Sequence, residues 1–412
     1  MPSPAAHDRI LIAGAGPVGA VTALLLAQQG IPVTVLERET GHVMDYRAST
    51  FHPPTLDMLT ESGIGGALVS MGLKAPVMQY RDRKAGRIAE IDYSCLHNDT
   101  DHPYRLQCEQ FKLTAWSYEQ LAKIPGTSLH FAHEVTGIEQ HDDHVAATVA
   151  TPAGDKRVTG RYLIGADGGR SAVRKLLGIP FEGYTHPEQF LVAGTQYDFK
   201  ARLKDICSVN YTADPDEWFL LLEIPDMWRI VMPVGPEIEA EDAIADGYLQ
   251  NALQNICPRE GKYEILVRAI YRVHQRVADT YRKGRVFLAG DAAHLNNPLG
   301  GMGLNGGLHD AVNLTRRLDK VWHGAADDRT FDEYEAQRRP AAIKGVNSIT
   351  ERNKRLMEER DPEVRARNLD AWRKIDADPA LMYQHALDAS MIGTLREFGM
   401  GDFRSTRRQS AA

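Results

Sequence analysis

Apolar positions open the chain in two bursts separated by glycine. Arg9–Ala13 is aliphatic, Gly14-Ala-Gly16-Pro-Val-Gly19 follows, and apolar residues then recur at helical spacing to about Gln29, where Gly30 stops them. Ile31–Leu36 is a second aliphatic run, ending at Glu37-Arg38. This pattern predicts a buried strand, a tight turn, a packed helix and a second buried strand. From Pro76 to Tyr93 the chain alternates around Gly86, which predicts a hairpin. Leu113–Lys123 reads as a helix, and Ser128–Ala150 as two strands around His141–Asp143. Arg161–Ile164 is another buried strand, running into Gly165-Ala-Asp167-Gly168.

Strand-like runs then dominate: Val192–Phe199, Ile206–Thr212, Trp218–Ile224, Arg229–Val234 and Ile265–Val273, interrupted by a helix-like stretch over Glu239–Asn255. They predict a second, sheet-based unit inserted between nucleotide-binding segments. Val286–Ala289 returns to the buried-strand pattern, and from Phe331 to about Leu395 the chain is helical and laced with charge. The expected class is α/β. One parallel-sheet unit is built from residues 1–75, 101–184 and 282–330, and a mainly β-sheet unit from 76–100 and 185–281. A helical region covers 331–412, with a short polar leader at the start and a frayed tail from Arg404.

Composition narrows the function. Net charge is −7 over 412 residues, which argues against a dedicated nucleic-acid binder. Four cysteines (Cys95, Cys108, Cys207 and Cys257) lie far apart with no C-x-x-C pair. That disfavours an iron–sulfur cluster, a structural zinc site or a disulfide framework, and suits the reducing cytoplasm. The apolar run Ile10–Gly30 could pass for a signal or membrane segment, but its glycines, Pro17 and the Gln28–Gln29 pair fit a strand, turn and helix better. A cytoplasmic protein acting off the membrane is expected, with no metal site.

The first glycine turn has a specific chemistry. Gly14 permits the turn, Gly16 lets the backbone approach a pyrophosphate, and Gly19 lets the helix pack on the strand. The helix N-terminus, with Pro17 and Val18 in its first turn, offers free N–H groups to phosphate oxygens. Glu37, beside Arg38, suits a ribose diol and would repel a 2′-phosphate. At this point FAD and NAD remain equal candidates.

Two further turns follow in order: Gly165-Ala-Asp167-Gly168-Gly169-Arg170-Ser171-Ala-Val-Arg174, and Gly290-Asp291-Ala-Ala-His294 through Pro298 to Gly300-Gly301-Met-Gly303-Leu304-Asn305-Gly306-Gly307. With them the sequence resembles the single-component flavoprotein aromatic hydroxylases, the family typified by para-hydroxybenzoate hydroxylase. The resemblance covers about residues 9–75, 103–180 and 282–345. It implies FAD in a Rossmann-like domain, a β-sheet substrate domain and a helical C-terminal region, without the thioredoxin-like domain of longer relatives.

The resemblance also implies roles. Asp291 would bond the ribityl chain, and Gly301, Gly303, Leu304 and Asn305 would face the flavin, where N–H groups meet charge that accumulates on reduction. Arg47 would serve the diphosphate, Gln107 the ribityl–phosphate region, and Asp167 both FAD and the nicotinamide cofactor. Pro298 would stiffen the loop beside the reacting edge, although Asn297 stands where the family has another proline. His294 is a candidate proton carrier, against the alternative of a histidine that fixes its turn by hydrogen bonds.

The substrate side has no motif. A hairpin around Pro225-Asp226 is expected to put Phe219, Leu221, Arg229 and Val231 on one face, with Arg229 holding a substrate carboxylate or phenolate. Tyr211 and Tyr80 are further candidates. The implied activity is NADH- or NADPH-consuming hydroxylation of an electron-rich phenolic or heteroaromatic ring by dioxygen, through a C4a-hydroperoxyflavin. The partners are then a small aromatic and dioxygen, with homodimer assembly open. A flavin halogenase is the main rival, but Trp228-Arg-Ile-Val-Met-Pro233 has one tryptophan where that class has two. Another flavin oxidoreductase of the same fold, or a flavin-binding regulator without activity, would also carry the three turns.

Overall fold

The computed structural model describes residues 7–404. The expected leader falls largely outside these residues, and so does the tail beyond Arg404, whose own guanidinium donates to Asp99 O at 2.9 Å.

Three glycine turns leave one sheet. Its six strands run in the order Arg282–Lys283, Val286–Leu288, Tyr162–Gly165, Ile10–Ala13, Val33–Leu36 and Thr127–His130. All neighbours are parallel except the first pair. Every residue of Ile10–Ala13 is buried, as a parallel strand covered on both faces requires. The helix Pro17–Gln28 starts with Gly16 as its N-cap and proline at its first position, where no N–H is missed. It packs between the sheet and the long helix Met302–Trp322.

The second sheet has eight strands: His294–Leu295, Val267–Ala278, Phe181–Thr195, Met227–Val234, Phe219–Ile224, Val209–Ala213, Val77–Asp82 and Gly86–Asp92. It starts a few residues before the expected boundary at 185 and borrows its edge strand from beyond 281. Helices Ser348–Glu358, Pro362–Ala377 and Pro379–Ala389 pack around its Val209–Ala213 and Gly86–Asp92 end. Elsewhere Leu191, Phe219, Leu221, Trp228 and Ile230 form a core with Leu249 and Leu253 of the helix Asp246–Ile256.

Local expectations need three corrections. Residues 128–150 hold three strands, because Thr127–His130 joins the parallel sheet while Glu134–Gln140 and Val145–Ala150 form an antiparallel pair with a third, unexpected strand, Lys156–Gly160. The stretch 239–255 is two helices, Ala240–Ala243 and Asp246–Ile256, the second capped at Ala245. The C-terminal helices are also not uniform. Pro340 has no N–H to donate, and the helix widens into a π-helical stretch over Ala341–Asn347. No helix among the described residues is long and apolar enough to cross a membrane.

Candidate active site

The turns converge on one cleft of about 1510 Å3, larger than the roughly 300–1,000 Å3 of a single small-ligand pocket. Its nucleotide end is lined by Gly14, Gly16, Pro17, Val18, Glu37 and Arg38, its middle by Arg47, Asp167 and Asp291, and its far end by Pro298, Gly301, Gly303 and Leu304. The eight-stranded sheet closes the far side with Tyr211, Leu220, Leu222, Arg229 and Val231.

The three glycines of the first turn differ. At Gly14, φ is +97° and a Cβ would sit 2.4 Å from Ala166 O. A Cβ on Gly19 would lie 2.0 Å from Gly14 O, so Gly19 works by packing and does not line the cleft. A Cβ on Gly16 would meet nothing within 4 Å and would stand in open space against the cleft. This is the cradle a pyrophosphate needs. Glu37 holds it, accepting from Ala15 N at 2.6 Å and from Glu39 N at 2.9 Å. Tyr118, which no sequence pattern marked, donates from its hydroxyl to Ala15 O.

Charge lies deeper. Arg47 makes a two-pronged pair with Asp45, its Nη2 2.5 Å from Oδ2, and that hydrogen bond holds its pKa above the ordinary arginine value. Asp291 reaches solvent through the cleft, but the protein packed around it pushes its pKa up, against the pull of Arg47. Asp167 accepts from Val173 N at 3.1 Å through Oδ2, while its buried Oδ1 has no partner. An open glycine at a helix N-terminus, an orphaned carboxylate oxygen and an arginine beside the cleft fit FAD.

Several expected residues stand elsewhere. Asn305 is a buried clip: its Oδ1 accepts from His52 N and Thr55 Oγ1, and its Nδ2 donates to Thr50 O and Gly301 O. Gln107 is also buried behind the cleft wall, accepting from Thr50 Oγ1 at 3.0 Å with its Nε2 unpartnered. His294 does not face the cleft. Its Nε2 lies 2.8 Å from Asp310 Oδ2, in a buried network where Arg338 Nε donates to Asp310 Oδ1 at 2.6 Å and Gly290 N to Oδ2 at 3.0 Å. It fixes the turn that carries Asp291.

The hairpin closes at Ile224 and Met227 as expected, but the faces need correcting. Leu220 pairs with Val231, and Leu222 with Arg229. Opposed residues share a face, so Leu220, Leu222, Arg229 and Val231 look into the cleft. Phe219 and Leu221 point the other way, into the core against helix Asp246–Ile256. Arg229 itself is buried and donates to Ser49 Oγ and, at 3.1 Å, to Arg47 O. Tyr80 is not in the main cleft. It stacks on Trp372 at 4.5 Å, and its hydroxyl lies 3.2 Å from His385 Nε2.

Residues 8–348 match the family model described as an FAD binding domain. The chain is 33% identical over 394 residues to a para-nitrophenol 4-monooxygenase of Pseudomonas sp. (strain WBC-3), covering 94% of this chain and 97% of the relative. It is 32% identical over 356 residues to a 6-hydroxy-3-succinoylpyridine 3-monooxygenase of Pseudomonas putida (strain DSM 28022 / S16), covering 86% and 90%. The crystal structure of p-nitrophenol 4-monooxygenase from Pseudomonas putida DLL-E4 superposes with a TM-score of 0.88 at 32% identity, over 93% of this chain and 97% of that one. Cleft, cradle and matches agree: the chain belongs to the FAD-binding-domain family and is an FAD-dependent aromatic monooxygenase of the para-hydroxybenzoate hydroxylase-like group.

Proposed function

We propose that this enzyme hydroxylates a small phenol or hydroxypyridine at the ring carbon opposite the hydroxyl and expels the substituent there. The observation that carries this is the pair of matched activities. In para-nitrophenol 4-monooxygenase and in 6-hydroxy-3-succinoylpyridine 3-monooxygenase, the numbered carbon bears the nitro or succinoyl group and lies para to the hydroxyl. On 4-nitrophenol the balance is one dioxygen and one NAD(P)H consumed, with quinone, nitrite and water formed.

FAD, when bound, takes the hydride and activates dioxygen. The residues that would hold it are Gly16 and the N-terminus of Pro17–Gln28 for the pyrophosphate, Glu37 for the ribose, and Asp291 and Asp167 nearer the ring system. The apolar wall of Leu220, Leu222 and Val231 orients the substrate ring and keeps water from the reacting edge. Pro298 stiffens the loop that faces that wall. Four unpaired cysteines support a cytoplasmic setting.

The test is turnover of FAD-loaded protein with 4-nitrophenol and either NADH or NADPH. Nitrite released one for one with nicotinamide oxidised is the expected result. Nicotinamide oxidation with hydrogen peroxide and no nitrite would refute the expulsion.

A further inference from the structure

Arg105 lies at the start of the short strand Arg105–Gln107 and is 2% exposed. No carboxylate pairs with it among the described residues. Its Nη2 donates to Ala389 O at 3.2 Å, the hydroxyls of Tyr93 and Tyr211 lie against the guanidinium, and Nε and Nη1 are buried with no acceptor at hydrogen-bond geometry. Apart from Arg352, the groups around it are neutral. Its guanidinium carbon is 5.4 Å from the Tyr93 ring and 6.0 Å from the Tyr211 ring, with Tyr80 and His52 also close. His385 comes from the helix Pro379–Ala389, and the exposed Arg352 from Ser348–Glu358. An arginine does not give up its proton, and a buried charge without a partner is costly. Two idle N–H groups on such a charge mark a place for an anion.

Arg105 lines a small recess of about 10 Å3, room for one water-sized atom. Tyr80, Tyr211, Met302, Asn353 and His385 share its wall. Tyr211 and Met302 also line the main cleft, so the two spaces adjoin at these side chains. A ring, a nitro group or a carboxylate is too large for the recess. A single oxygen is not.

We propose that the recess receives the phenolate oxygen of the substrate and that Arg105, not Arg229, is its anchor; this rests on the phenolic substrate inferred above. With the oxygen in the recess, the ring lies in the cleft and its para carbon points away from Arg105. The neighbours suit the task. Burial, with the Arg105 charge adding to it, lowers His52 to about 3, and burial chiefly, with Arg352 and Arg105, lowers His385 to about 4, so neither competes as a cation. Burial raises Tyr80 to about 12, which leaves its hydroxyl a donor. Arg105 then favours the ionised ring, whose electron density at the para carbon the reaction needs.

The experiment uses the FAD-loaded enzyme without nicotinamide, so that nothing turns over. 4-Nitrophenol is titrated in across a pH series, and its yellow phenolate is read by difference spectrum against the flavin. Wild type should bind the phenolate at pH values where free 4-nitrophenol is largely neutral. Arg105→Met should raise the pKa of the bound phenol by at least one unit and weaken binding about tenfold or more, with FAD content retained. Arg105→Lys keeps the charge and should restore most of the ionisation with less of the affinity; it also serves if the methionine variant does not fold. An unchanged bound-phenol pKa in both variants, or a shift in Arg229→Met alone, overturns the anchor. If wild type ignores 4-nitrophenol, the nitrophenol-type substrate falls, and 4-hydroxybenzoate and 6-hydroxynicotinate are titrated in its place. If none of these gives a flavin perturbation that Arg105→Met abolishes, the anchor falls as well.

Discussion

Gly16 and Gly19 are three residues apart in one turn, and alanine at each should fail differently. Gly16 has φ −60° and ψ −179°, a conformation alanine adopts freely, and its added Cβ would meet no protein atom within 4 Å. Replacing glycine by alanine at a helix N-cap costs a few tenths to about 1 kcal/mol, and the reduced freedom of the unfolded chain offsets about 0.4–1 kcal/mol of that. Gly16→Ala apoprotein should therefore unfold within about 1 kcal/mol of wild type. The methyl group, however, stands where the pyrophosphate approaches. At about 2 kcal/mol for such overpacking, FAD affinity falls roughly thirtyfold. With FAD at a hundred times the wild-type Kd, ligand stabilisation drops from about 2.7 to about 0.9 kcal/mol. Gly19→Ala is the contrast, because its Cβ would lie 2.0 Å from Gly14 O and backbone must move. That variant should lose stability without FAD present. Denaturant melts of apo and FAD-saturated protein, with FAD titration by flavin fluorescence, read both effects. Wild-type FAD affinity in Gly16→Ala, or an apo midpoint as low as that of Gly19→Ala, would refute the assignment of Gly16 to the cofactor face.

Asp310→Asn should cost about 3–5 kcal/mol, because Arg338 is left charged and buried without its partner, and denaturant midpoints measure the loss. Burial pushes the Asp310 pKa up, but Arg338 and His294 outweigh it and hold the carboxyl below its ordinary value. Its contribution is therefore complete above the unfolded pKa of about 3.9 and is lost as pH falls through the lower folded value, so the wild-type advantage over Asp310→Asn should shrink below about pH 4. Asp291→Ala should weaken FAD binding roughly tenfold to a hundredfold, the worth of a charge-assisted hydrogen bond of about 1.5–3 kcal/mol, and the heat-released chromophore of wild type should migrate with FAD rather than FMN. Arg229→Met removes the donors to Ser49 Oγ and Arg47 O, so it should lower FAD affinity roughly tenfold with the bound-phenol pKa unmoved. Unaltered FAD affinity there would return Arg229 to the substrate.

The nucleotide half was legible because its constraints are local. Gly14, Gly16 and Gly19 are needed within six residues, and Glu37 ends the next strand, so a short window carries strand, turn, helix and acid together. Asn305 and His294 sit in the same motifs, yet their work is structural: one clips Thr50–Thr55 to the long helix, the other braces Gly290 through Asp310. A motif fixes which residues recur near a cofactor, not which of them turn toward it. Side-chain direction depended on partners as far away as Thr55 and Arg338.

The substrate half shows why alternation alone falls short. Both strands of the hairpin alternate, and the turn at Pro225-Asp226 was recognisable from the sequence. Odd-numbered residues of the two strands do not share a face. A two-residue turn closing Ile224 on Met227 pairs residues whose numbers sum to an odd total, so Arg229 faces Leu222 and not Phe219 or Leu221. Which parity is inward was then decided by the helix Asp246–Ile256, whose Leu249 and Leu253 cover Phe219 and Leu221. Arg105 lay further out of reach. It stands two positions before Gln107, in a run that reads as cofactor-side, and nothing adjacent in sequence tells that it lacks an acid. Its isolation arises only when Tyr80, Tyr93, Tyr211 and His385, spread over some three hundred residues, close around it. A charge left unpaired by so many independent segments is costly to fold, and a ligand that completes it recovers that cost on binding. Specificity for an ionised ring is then built into the same residues that complete the core.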